Sequence, residues 1–188
     1  MNLSRRRKTI IWTLILVSLS LLGAGAQRNG QPNPAKVAAT EPGYYQVTEV
    51  YDGDTIEVLI AGRQEKVRFI GVDTPETHDP RKPVQCFGQA ASAKTKELLV
   101  GKSVRLEADP ADSDRDKYFR LLRYVYLPDG TLLNRQLIAD GYGFAYTVFP
   151  YAKLSEFQDL EQEAREQGKG LWSACRITQS GQVRQTEP

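Results

Sequence analysis

From Tyr44 to Tyr51 the chain is rich in Tyr, Val and Thr and runs into Asp52-Gly53, a strong hairpin signal, so a first strand is predicted there. Ile56, Val58 and Ile60 then alternate with Thr55, Glu57 and Leu59, the period-two spacing of a second strand. Ala61-Gly62 turns the chain again. In a third strand Val67 and Phe69 share one face, so Lys66, Arg68 and Ile70 take the other, and Arg68 is expected on a rigid pleat. Thr77 to Val84, rich in Pro and charge, reads as a surface loop that carries His78.

The spacing changes after Phe87. Gly88 to Val100 places Ala91, Thr95 and Leu98 along one side among Lys and Glu, which predicts a helix closed by Gly101. Ser103 to Glu107 is a short strand and Asp109 to Lys117 a charged loop. Arg120 to Leu127 is a β-prone stretch that ends at Pro128-Asp129-Gly130. Thr131 is expected to cap a helix running to Asp140, with Gly141 as its left-handed stop. Pro150 is expected to open a last helix whose apolar stripe is Leu154, Phe157, Leu160 and Ala164 and whose end is Gly168. Trp172 is expected to return to the body of the domain. The pattern predicts an α+β domain of five short strands and three α-helices. A five-stranded β-barrel of the oligonucleotide-binding type, an OB-fold, closes that many strands without leaving edges.

The ends read differently. Arg5-Arg6-Arg7-Lys8, the apolar run Ile10 to Leu22 and the small residues Gly23 to Ala26 form the pattern of a signal peptide over residues 1–26, with a retained membrane anchor as the alternative. The apolar run is shorter than the roughly 20 residues of a spanning helix. Residues 27–42, rich in Gln, Asn, Pro and Ala, read as a flexible linker, and residues 177–188 as a polar disordered tail. Residues 43–176 are then enough for one core and too few for two. Removing the first 26 residues takes away four of the 25 Lys and Arg and none of the 23 Asp and Glu, leaving 21 basic against 23 acidic residues. Such a balance excludes a protein that holds nucleic acid by bulk positive charge, and leaves a local cluster or a bound cation to do so.

Cys86 and Cys175 are the two cysteines of the chain. In an exported protein they are expected to pair, against the alternative of two separate thiols. On the loop-entropy model such a bridge contributes about 4 to 5 kcal/mol. Two cysteines with His78 are too few for an ordinary structural zinc site.

Between Asp52 and Glu76 the chain sets Asp52, Asp54, Asp73 and Glu76 at strand ends, with Arg68 on a strand face between them. Carboxylates with a backbone carbonyl suit calcium or magnesium, and an arginine fork meets two phosphate oxygens at once. The combination points to half of a phosphodiester-cleaving site built around a hard metal ion.

Five pieces in order extend that reading: Asp52-Gly53-Asp54-Thr55, Arg68-Phe69-Ile70-Gly71-Val72-Asp73-Thr74-Pro75-Glu76, Phe87-Gly88-Gln89-Ala90-Ala91, Asp116-Lys117-Tyr118-Phe119-Arg120 and Gly170-Leu171-Trp172. With these pieces the chain from Tyr45 to Trp172 resembles the thermonuclease family, the staphylococcal or micrococcal nuclease type. The resemblance implies one Ca2+ ion bound by Asp54, Asp73 and the Thr74 carbonyl, with Asp52 beside them. It implies catalytic roles for Arg68, Glu76 and Arg120, and contacts to substrate phosphate and base from Lys117, Tyr118 and Tyr146. The expected activity is a secreted, calcium-dependent hydrolysis of DNA with low sequence specificity, RNA being open as a second substrate. Single strands are expected to be preferred because Tyr118 and Tyr146 offer stacking surfaces. The expected state is a monomer, secreted, periplasmic or extracellular. The alternative is a non-catalytic nucleic-acid-binding OB-fold module. Two positions depart from the family pattern: Phe119 stands where relatives commonly have glycine, and Thr147-Val148-Phe149 follows Tyr146 without a second tyrosine.

Overall fold

The computed structural model describes residues 43–77 and 83–188. The signal-peptide reading, the linker over 27–42 and His78 lie outside the described residues.

Five strands close a barrel: β1 (Tyr44–Val50), β2 (Thr55–Ile60), β3 (Arg63–Phe69), β5 (Ser103–Glu107) and β6 (Leu121–Tyr126). Their order around the barrel is β1-β2-β3-β6-β5, with β5 paired back to β1. All neighbours are antiparallel except β3 and β6, which run parallel. A helix, α1 (Gly88–Leu99), fills the connection between β3 and β5. This is the α+β, OB-type closure expected from the alternation of Ile56 with Val58 and of Val67 with Phe69, all at most 1 % exposed. Burial inside a closed barrel removes both the apolar side chains and the strand edges from water.

The strand ends need fixing, because the site grows from them. A short pair, β4 (Val72–Asp73) with β7 (Phe144–Ala145), sits beyond β3 and matches Asp73 to Phe144. Helices α2 (Leu133–Ala139) and α3 (Leu154–Glu166) pack on each other. From α2 the fully buried Asn134 accepts from Val125 N at 2.8 Å and donates to Ile70 O at 2.9 Å, so one amide joins β6 to the turn before β4. Sequence reading passed over Asn134, since a lone Asn between apolar residues gives no periodic signal.

Two boundary expectations are corrected. Thr131 does not cap α2; its N–H donates to Asp129 Oδ1 at 2.9 Å in the turn, and the helix begins at Leu133. Pro150 does not open α3, which starts at Leu154 after Tyr151 has turned inward to 6 % exposure. The three expected helices are present, and a fourth helical turn, α4 (Leu171–Ala174), follows them. The stripe Phe157, Leu160 and Ala164 is buried as expected, and Trp172 returns to meet the Phe144 ring edge-on at 5.4 Å.

Residues 177–188, expected as a disordered tail, instead hold a hairpin of β8 (Ile177–Ser180) and β9 (Val183–Thr186). Its polar alternation hid specific anchors. Arg184 pairs with Glu161 of α3 at 2.7 Å, and Thr186, 1 % exposed, donates to Cys86 O at 2.7 Å. Cys86 and Cys175 form the expected disulfide, with Cα atoms 5.9 Å apart.

Candidate active site

The turn between β1 and β2 brings Asp52 and Asp54 to one end of the barrel. Thr95 of α1 donates to Gly53 O at 2.7 Å and pins that turn from behind. A Cβ on Gly53 would lie 2.7 Å from the Thr74 side chain, so glycine lets the two loops touch. Across the contact Asp54 Oδ2 accepts from Thr74 N at 2.7 Å and from the Thr74 hydroxyl at 3.0 Å.

Arg68 stands between the carboxylates. One terminal nitrogen pairs with Asp54 Oδ1 and the other donates to Asp73 Oδ1 at 2.7 Å. The Arg68 side chain is 14 % exposed, and the two carboxylates hold its pKa up against the burial that lowers it. Across the β2–β3 ladder Arg68 faces Thr55, whose hydroxyl lies 3.5 Å from the Arg120 guanidinium. Both arginines therefore reach one spot, Arg68 from β3 and Arg120 from the turn just before β6.

A cavity of about 150 Å³ results, lined by Asp52, Asp54, Thr55, Arg68, Asp73, Thr74, Pro75, Glu76 and Arg120. Every carboxylate and arginine expected from sequence as catalytic or cation-binding lines it. Its lining is almost wholly polar and its anionic groups crowd each other. Burial, then the Asp54 carboxylate, pushes Asp52 up to about 7. Burial likewise raises Asp73 to about 6, against the lowering effect of Arg68. Four carboxylates thus share the cavity with two arginines, one of which, Arg120, is already paired with Asp116.

That imbalance tests the fit of a cation. The anionic side chains on the cavity, with Thr74, offer oxygen only, which suits a hard divalent ion and not zinc or copper. Among the described residues no three of these side chains converge into a ready-made metal cage. Arg68 already engages Asp54 and Asp73, and Thr74 engages Asp54. The donor chemistry fits calcium or magnesium, and such an ion would share its carboxylates with Arg68.

A second, larger cavity of about 420 Å³ shares Arg68 and Asp73 with the first and opens toward Lys117, Tyr118, Tyr146 and Phe149. The three residues expected to contact substrate all line it. Tyr118 is 67 % and Phe149 59 % exposed, and the Phe149 ring lies 6.1 Å from that of Tyr146. Phe149 was missed as a binding candidate because it is not a tyrosine. Asp116 was missed because one of four aspartates in a charged loop looks like a solvated charge; its carboxylate holds Arg120 through Nε at 2.7 Å.

Comparison with known proteins matches residues 66–174, from within β3 to the end of α4, to the staphylococcal nuclease homologue family. The chain belongs to that family. A thermonuclease of Staphylococcus hyicus is 37 % identical over 170 residues, covering 88 % of this chain and 99 % of that protein. Endonuclease YncB of Bacillus subtilis is 43 % identical over 124 residues, 65 % of this chain and 58 % of that protein. A thermonuclease of Staphylococcus intermedius is 42 % identical over 129 residues, 68 % of this chain and 75 % of that protein. Relatives named thermonuclease and endonuclease place the chain among the nucleases, a class of hydrolase.

Its distinctive position, Phe119, adopts φ +63°, the left-handed region that favours glycine. The ring is 80 % exposed, so the backbone keeps the turn before Arg120 and the side chain is directed outward.

Proposed function

We propose that this protein hydrolyses phosphodiester bonds of DNA in a calcium-dependent reaction with little sequence preference, with RNA as a second substrate to be tested. The single observation that carries this is the 150 Å³ cavity where Arg68, Arg120 and Glu76 meet Asp52, Asp54 and Asp73. A calcium ion held by Asp54, Asp73 and the Thr74 carbonyl would supply positive charge to a phosphate oxygen and make water easier to deprotonate.

The chain's own residues divide the remaining work. A phosphodiester resists attack because it is anionic, and its transition state loads further charge onto the non-bridging oxygens. Arg68 and Arg120, converging beside Thr55, are placed to donate to those oxygens. A guanidinium remains charged and fits two oxygens at once, so it strengthens its grip as charge develops. Glu76, whose Oε1 accepts from Thr77 N at 2.8 Å, is the carboxylate assigned to orient the attacking water and take its proton.

Substrate would lie along the larger cavity. Lys117 serves phosphate, while Tyr118, Tyr146 and Phe149 give faces for unpaired bases. Stacking is tolerant of sequence, and phosphate contacts position without specifying, so low specificity with a preference for single strands follows. A disulfide suits an oxidising compartment, which supports export. Among the described residues no helix is long and apolar enough to cross a membrane.

The test is incubation of the chain with denatured DNA, with calcium or with chelator. Cleavage with calcium alone supports the proposal. Binding of DNA without cleavage would replace it with a non-catalytic binding module.

A further inference from the structure

Glu76 lies in the loop after β4, outside the ladder that fixes Arg68. Its backbone is held instead by Gln85: Glu76 N donates to Gln85 Oε1 at 2.7 Å, and Gln85 N donates to Glu76 O at 3.0 Å. Gln85 is in turn held from the C-terminal end of the chain. Its neighbour Cys86 is bonded to Cys175, donates its N–H to Glu187 O at 2.9 Å and accepts from Thr186 at 2.7 Å. The hairpin carrying Thr186 is fixed to the domain through Arg184 and Glu161, and Glu161 also accepts from Ala145 N at 3.1 Å, on the strand paired with β4. The hairpin therefore touches the supports of both Asp73 and Glu76.

We propose that Gln85 is a positioning residue for Glu76, and that the β8–β9 hairpin and the Cys86–Cys175 bridge act on turnover through it. This inference rests on the reading of Glu76 as the group that takes the proton. A base works only within hydrogen-bond reach of the water it serves, and a displacement of about 1 Å can cost a hundredfold in rate. A loop glutamate has no ladder to hold it there; Thr77 N, donating to Oε1 at 2.8 Å, orients the carboxylate, and two hydrogen bonds to a cross-linked segment constrain the backbone that carries it. A hairpin that served stability alone would have no reason to end on the residue next to the Glu76 clamp. Opening the bridge would free Cys86 from Cys175 and let Gln85 drift with it.

The test compares steady-state cleavage of denatured DNA by the full chain in calcium with that by Gln85→Met, which preserves side-chain volume and deletes the acceptor. Thr186→Val provides a milder change at the far end of the same connection. Each protein is assayed oxidised and after reduction, at a temperature where circular dichroism shows all forms folded. The expected result is a kcat lowered about 10- to 100-fold in Gln85→Met with KM within about twofold, and a smaller loss in Thr186→Val. Reduction lowers kcat in the wild type and adds little in Gln85→Met, because both act on one support. Wild-type kcat in Gln85→Met, or an equal effect of reduction in both proteins, overturns the inference while leaving the nuclease reading intact. A wild type that leaves DNA uncut overturns the nuclease reading and this inference with it.

Discussion

Asp116 grips Arg120 through two nitrogens: its Oδ2 lies 2.7 Å from Nε and 2.6 Å from a terminal nitrogen. Its Oδ1 accepts from the backbone N–H of Tyr118 and of Arg120, so one carboxylate shapes the turn and aims the guanidinium. Burial raises the Asp116 pKa, but the hydrogen bonds from Arg120 outweigh it and hold the group below its ordinary value. Asp116→Asn keeps an acceptor for the turn and removes the charge. We expect kcat to fall about 10- to 100-fold with little change in melting temperature, as read by steady-state kinetics beside circular dichroism. Unchanged kcat would mean that Arg120 needs no such support.

Phe119 holds a conformation that suits glycine, with its ring in solvent. A non-glycine residue in the left-handed region costs about 1 to 2 kcal/mol, and the extra freedom of glycine in the unfolded chain offsets part of that. Phe119→Gly is expected to raise stability by about 0.5 to 1 kcal/mol, visible as a higher urea midpoint at unchanged slope. A lower midpoint would show that the ring contributes packing beyond its exposure.

Gly53 and Thr74 meet where a Cβ has no room. Gly53→Ala must displace the Thr74 side chain, and with it the hydroxyl that orients Asp54. The expected cost is about 1 to 3 kcal/mol of stability. The rise in melting temperature given by added calcium should also shrink, since one of the proposed ligands is misplaced. A full calcium shift in Gly53→Ala would separate this contact from cation binding.

Asp109 lines neither cavity, yet it closes two loops. Its carboxylate accepts from Tyr124, Ala111 N at 2.7 Å and Ala152 N at 2.7 Å. Burial raises its pKa, and these donors together overcome that and leave it lowered. A depressed folded pKa means that the stabilisation is complete above the ordinary carboxylate value and is lost as pH falls through the folded one. Asp109→Asn turns an acceptor into a donor against two donors, and should cost about 1 to 3 kcal/mol at neutral pH. Denaturant curves should show the difference shrinking in strong acid; a constant difference would remove Asp109 from the acid response.

Much of this was legible in the chain. Alternation at Ile56 and Val58 and at Val67 and Phe69 reports the barrel because each side chain answers to a nearby pleat. Asp54, Asp73 and Arg68 were readable because strand ends and a strand face are local facts. The supports were not readable. Asn134 and Gln85 act through a few hydrogen bonds to residues chosen by the tertiary fold, Asp116 through a turn that only the folded loop defines, and polar residues in loops look alike until their partners are known. The hairpin at residues 177–188 escaped for the same reason: its anchors, Arg184 and Thr186, bond to residues 23 and 100 positions away. The starts of α2 and α3 moved because Asp129 and Tyr151 claim the residues just ahead of them.

The most direct measurement is the single-turnover rate of cleavage of denatured DNA in calcium by the wild type and by Glu76→Gln, with melting temperatures recorded on the same samples. The account predicts cleavage by the wild type, and a Glu76→Gln rate about 10²- to 10⁴-fold lower at an unchanged melting temperature. Equal rates for the two proteins would contradict it.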